Sequence, residues 1–134
     1  MEITRAAIES TTYSPSHNKL QNALDKYLRR LYGQDSVRYE SEGVDIQLNK
    51  GKNVTYFEIK MAPTAKSCIR EALGQLFEYN MYPGQQRASE MVIVGEGPAT
   101  PDDQAYLTYL RKEFEIPVRY IRWNSERNAL DEAL

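Results

Sequence analysis

Two short runs of alternating residues, set between two helical stretches, organise the chain. In Gly43–Asn49, Val44, Ile46 and Leu48 share one parity and Asp45 and Gln47 the other. In Val54–Lys60, Phe57 and Ile59 take one side, and Tyr56, Glu58 and Lys60 the other. Lys50-Gly51-Lys52-Asn53 between them reads as a four-residue hairpin loop. Before this hairpin, Leu20, Leu24, Leu28 and Leu31 recur at helical spacing after a Ser14-Pro15-Ser16 start, and Gly33 closes the element. The spacing predicts a helix over about 16–32. A second helix is predicted from Ala65 to Met81, stopped by Pro83-Gly84. Val37–Glu42 reads as a further strand, Glu90–Gly95 as a buried one, Pro101–Phe114 as a third helix and Val118–Arg122 as a last strand. The first dozen residues suggest only a short strand or helix. The order αβββαβαβ predicts a mixed β-sheet flanked by helices, an α/β fold. The core runs from about 14 to 122, and 123–134 is expected to be a polar tail.

The hairpin carries chemistry. If Asn49 faces Val54, Asp45 falls opposite Glu58, and cross-strand Cβ atoms stand roughly 4.5–5.5 Å apart. Two carboxylates held so close repel, and a hard divalent cation would offset them. Lys60 projects from the same face as Glu58. His17, the lone histidine, lines up with Leu24 and Leu28 on the first helix and so points inward. Gln75 and Tyr79 share a face of the second helix with Cys68 and Ala72. Gly74, inside that helix, costs about 1 kcal/mol relative to alanine and suggests a close approach by a backbone, by DNA or by a partner chain.

An acid on one strand followed by Glu58-Ile59-Lys60 on the next resembles the PD-(D/E)xK nuclease superfamily. His17 ahead of the hairpin and Gln75-Leu76-Phe77-Glu78-Tyr79 after it are similar to the RecB-like branch with its Q-x-x-x-Y signature. The resemblance covers about residues 14–95, and Val44 stands where the superfamily's name has proline. It implies a restriction-endonuclease-like fold and cleavage of phosphodiester bonds, in DNA rather than RNA, in repair or in defence against foreign DNA. It implies Mg²⁺ or Mn²⁺ held by His17, Asp45, Glu58 and the Ile59 carbonyl. Lys60 would orient the attacking water or offset phosphate charge. Gln75 and Tyr79 would line the catalytic site and contact the nucleic-acid backbone, with Gln21 beside them. Lys66, Arg70, Lys50, Lys52 and Lys19 are further candidates for phosphate contacts around that site.

Composition sets the remaining bounds. The 134 residues suit one domain with a single core. Charged residues make up 27% and the hydrophobic set 41%, as in ordinary globular proteins. A net charge of −2 supplies no general attraction to nucleic acid. No apolar run approaches a membrane span. The N-terminus lacks the pattern of a signal peptide, and one cysteine permits no internal disulfide, so a cytoplasmic protein is expected. No Gly-rich phosphate loop argues for an NTPase. A domain of this size lacks an obvious target-recognition module, so sequence-specific cleavage would call on a homodimer, a partner subunit or a lost domain. Two rivals stand beside the nuclease. One is a binding module of the same fold with weak catalysis, contacting nucleic acid or protein. The other is a metal-dependent hydrolase of small phosphate esters, which predicts a closed pocket.

Overall fold

The structure is a computed structural model that describes residues 14–41 and 43–134. The element expected in the first dozen residues lies outside the described residues, as does Glu42 at the end of the expected first strand. Among the described residues the order is α1 (Pro15–Tyr32), β1 (Val37–Ser41), β2 (Val44–Lys50), β3 (Asn53–Ile59), α2 (Ala65–Met81), β4 (Glu90–Gly95), α3 (Pro101–Phe114), β5 (Val118–Asn124) and β6 (Ala129–Leu130). A short 3₁₀ turn at Gln34–Ser36 joins α1 to β1. The strands form one mixed sheet in the order β1-β2-β3-β4-β5-β6. β1, β2 and β3 are antiparallel neighbours, β3, β4 and β5 run parallel, and β6 returns antiparallel to β5.

The parallel strands step in one direction, and each step is bridged by a helix. Crossovers of one hand place both bridging helices, α2 and α3, on the same face. α1 then covers the other face. Leu20, Leu24 and Leu28 pack there with Ile46, Leu48, Phe57, Ile59, Val92, Val94, Ile121 and Trp123. On the opposite face Cys68, Ile69, Ala72, Leu76 and Leu107 meet Tyr56, Met91, Ile93, Val118 and Tyr120. β4 therefore reads Met-Val-Ile-Val because alternate residues feed two cores. Burying each such Leu or Ile side chain contributes about 1.5–3 kcal/mol. Side-chain caps fix the helix starts: Ser14 Oγ accepts from His17 N at 3.1 Å, Thr64 Oγ1 accepts from Ser67 N at 3.1 Å, and Thr100 and Asp103 form a capping box.

Several expectations change. The hairpin loop is two residues, not four, because Lys50 pairs with Asn53; Gly51, at φ +60°, takes the left-handed first position such a turn requires. Leu31 is 54% exposed rather than inward, because the stripe that meets the sheet is set by Leu20, Leu24 and Leu28. Val44 packs with the α2 face although it shares parity with Ile46 and Leu48, since it begins its strand directly after Gly43 at φ +86°. The stretch expected as a polar tail carries structure: β5 runs on to Asn124, Trp123 is buried edge-on to Tyr27 at 5.6 Å, and β6 buries Leu130. Among the described residues no helix is long and apolar enough to cross a membrane.

Candidate functional site

The site is built where β2 begins and β3 ends. The ladder pairs Asn49 with Val54 and Ile46 with Phe57. Asp45 and Glu58 lie one residue beyond the last of these pairs, on the two adjacent strands, close enough for the Asp45 charge to act on Glu58. Both are enclosed, at 1% and 0% exposure. They are buried, rather than solvated on a polar face, because α1 and α2 cover the sheet on both sides.

Asp45 is held from three directions. His17 Nε2 lies 3.2 Å from its Oδ2, and the Ile59 N–H donates to the same oxygen at 2.8 Å. Gln21, one turn after His17, donates from Nε2 to the Asp45 carbonyl at 3.0 Å. The inward direction expected of His17 is observed, since it is 4% exposed and meets the acid. Gln21 grips the backbone of β2, which its sequence position alone did not reveal.

Glu58 is the electrostatic centre. Neither carboxylate oxygen receives a close, well-aligned hydrogen bond; the Lys60 ammonium stands 3.5 Å from Oε2, and the Asp45 backbone N–H is the other donor near it. Burial pushes its carboxyl up from 4.5 to about 8, and the Asp45 charge adds to the rise; Lys60 and, more weakly, the Asp45 backbone N–H pull in the opposite direction. Burying a carboxylate with so few and such distant donors is costly, so such a group holds a proton or needs a cation. Tyr79 shares this environment. Its hydroxyl pKa is raised by burial first and then by the charges of Glu58 and Asp45, while the Gln75 amide one turn earlier lowers it. Gln75 Oε1 is itself buried without a donor. The Tyr79 ring lies over Gly43, where an added Cβ would stand 2.9 Å from a ring carbon. Gly43 thus lets Tyr79 close over the start of β2. Its only sequence signal was a glycine immediately before a strand.

The structure thus brings His17, Gln21, Asp45, Glu58, Ile59 and Lys60 to one end of the hairpin, with Tyr79 close enough to feel its charges and Gln75 hydrogen-bonded to Tyr79. It does not bring the other cations there. Lys50 and Lys52 flank the turn at the far end of the hairpin, five residues or about 17 Å from Glu58 at strand rise. Lys50 instead sits over the Tyr32 ring at 5.5 Å. Lys19 is exposed and lies about 200° around α1 from His17 at helical spacing. Lys66 and Arg70 line a cleft between α2 and α3, on the side of α2 away from Gln75. Among the described residues no three His, Cys, Asp or Glu side chains are grouped as metal ligands. Asp45 Oδ2 is taken by His17 and the Ile59 amide, and Glu58 stands beside Lys60.

Comparison with protein-family models, with curated proteins and with solved structures found no match.

Proposed function

We propose that the chain is a metal-dependent nuclease of the PD-(D/E)xK kind, on a restriction-endonuclease-like fold, which hydrolyses phosphodiester bonds in DNA. The observation that carries this reading is Glu58: a carboxylate with no exposure and no close, well-aligned hydrogen bond, near enough to Asp45 to feel its charge and flanked by Lys60. Two buried acids beside one ammonium leave a deficit of positive charge. Stability alone gives no reason to place a second acid there.

The donor set fits Mg²⁺ or Mn²⁺ in kind, because the orphaned Glu58 oxygens are hard ligands. Asp45, Glu58 and the Ile59 carbonyl would hold the ion with His17, once His17 releases Asp45 Oδ2. When bound it would supply positive charge to polarise the phosphate. The chain's own groups do the rest. Lys60 carries the ammonium that offsets phosphate charge or orients a water. Gln21 fixes the Asp45 backbone, and Tyr79 with Gln75 closes the α2 side of the site.

The test is incubation with linear, circular and single-stranded DNA and with RNA, in Mg²⁺ or Mn²⁺, with an EDTA control. Cleavage that needs the ion and disappears in Asp45→Ala supports the reading. Binding without cleavage of any polymer would favour the module reading, and cleavage unchanged in Asp45→Ala would reject the site.

A further inference from the structure

Across α2 from that site lies a cleft of about 810 Å³ between α2 and α3, which the proposed cleavage does not use. Ile69 and Leu73 give it an apolar lining, and Tyr106 of α3 adds a ring that is 48% exposed. Lys66 and Arg70 stand on the α2 wall, four residues apart and so on one face. Among the described residues neither forms an ion pair. The first turn of α2 contains no acid to balance them. Lys66, in the first turn, is a cation at the positive end of the helix, which costs stability, and an anion seated beside it removes that cost. The opposite wall differs. Asp102 lies there in the first turn of α3, while the neighbouring Asp103 carboxylate is tied to Thr100 N at 2.9 Å.

The cleft is therefore cationic on one wall, apolar and aromatic between, and hydrogen-bond accepting on the other. Its volume lies within the roughly 300–1,000 Å³ of small-molecule sites. An aliphatic anion would offer Asp102 no hydrogen-bond donor. A nucleotide matches all three parts: an anion at one end, a flat base in the middle, and N–H or O–H donors on the base and sugar. We propose that this cleft binds a nucleoside phosphate, with its phosphate between Lys66 and Arg70, its base on Tyr106 and its donors toward Asp102. A free nucleotide and the terminal nucleotide of a strand present the same chemistry.

Amide proton–nitrogen NMR spectra recorded in EDTA test this apart from any cleavage. The probes are dAMP, deoxyadenosine, inorganic phosphate, and one oligonucleotide with and without a terminal phosphate. We expect dAMP to shift the amides of Lys66, Ile69, Arg70 and Tyr106. Deoxyadenosine and inorganic phosphate should each bind about tenfold more weakly or worse, as should dAMP to a Lys66→Gln, Arg70→Gln double variant. Tyr106→Ala should erase the preference for dAMP over inorganic phosphate. All three positions are exposed, so the variants leave the core untouched. Shifts at the same amides from the phosphorylated oligonucleotide alone of the pair identify a strand end as the source; shifts from dAMP only identify a free nucleotide. The proposal is overturned by no shifts at millimolar dAMP, by shifts confined to the Asp45–Glu58 end, by unchanged binding in the double variant, or by saturation with an acidic peptide where dAMP fails.

Discussion

Glu58→Gln should make the metal-free protein more stable, and by an amount that grows with pH. The wild-type carboxyl titrates near 8 in the fold, against an ordinary 4.5. Because the folded state holds this proton more tightly than the unfolded chain, the wild type is favoured at low pH. It loses stability as pH rises from about 4.5 through 8. At about 1.4 kcal/mol per pH unit, the loss reaches on the order of 5 kcal/mol. Glutamine keeps the shape and carries no charge, so the variant escapes this loss. Urea unfolding of both proteins in EDTA, at matched ionic strength and from pH 5 to pH 9, measures the gap. Even half the full effect moves the midpoint by about 1 M, given slopes of about 1–3 kcal/mol per M. Mn²⁺ should reverse the order. A ligand at a hundred times its dissociation constant adds about 2.7 kcal/mol to whichever protein binds it, which should be the wild type alone. A gap that stays flat between pH 5 and pH 9 would refute the reasoning, because it would mean that the Glu58 charge is already compensated.

Lys60→Gln should push the Glu58 carboxyl above its wild-type value of about 8, since the ammonium lowers it; carbon NMR titration of the labelled carboxyl reads the shift, and a lower or unmoved value contradicts the pairing. Gly43→Ala should lose about 1–3 kcal/mol, because it combines a left-handed φ of +86° with a 2.9 Å clash on Tyr79, and urea unfolding should show this loss. Gly74→Ala should instead gain about 1 kcal/mol, because an added Cβ meets nothing within 4 Å; a loss in the isolated chain would mean that this helix position is strained. Leu28→Ala, in the core between α1 and the sheet, should cost about 2–5 kcal/mol by the same assay.

Much of this arrangement was legible because local periodicity and tertiary burial agree. The alternation in Val44–Lys60 yielded both central strands and their register, and the heptad-like leucines gave α1 with His17 inward. What escaped has physical causes. Burial of Asp45 and Glu58 depends on α1 and α2 covering both faces, and an alternating pattern does not distinguish a solvated polar face from a covered one. Nearness in sequence does not bring a cation to the site: strand length separates Lys50 and Lys52 from Glu58, and helix rotation turns Lys66 and Arg70 away from Gln75. The two-residue β6 is too short for any periodic signal, and Trp123 is a single buried ring in a polar stretch. Gln21 bonds to a backbone carbonyl, a partner that composition never advertises.

Whether two buried acids share one cation is read most directly by anomalous X-ray diffraction from crystals grown with Mn²⁺. A shared ion gives a peak about 2.0–2.6 Å from carboxylate oxygens of both Asp45 and Glu58, absent in Glu58→Gln crystals. A peak bound elsewhere, or none while Glu58 keeps its 3.5 Å contact with Lys60, would contradict that sharing.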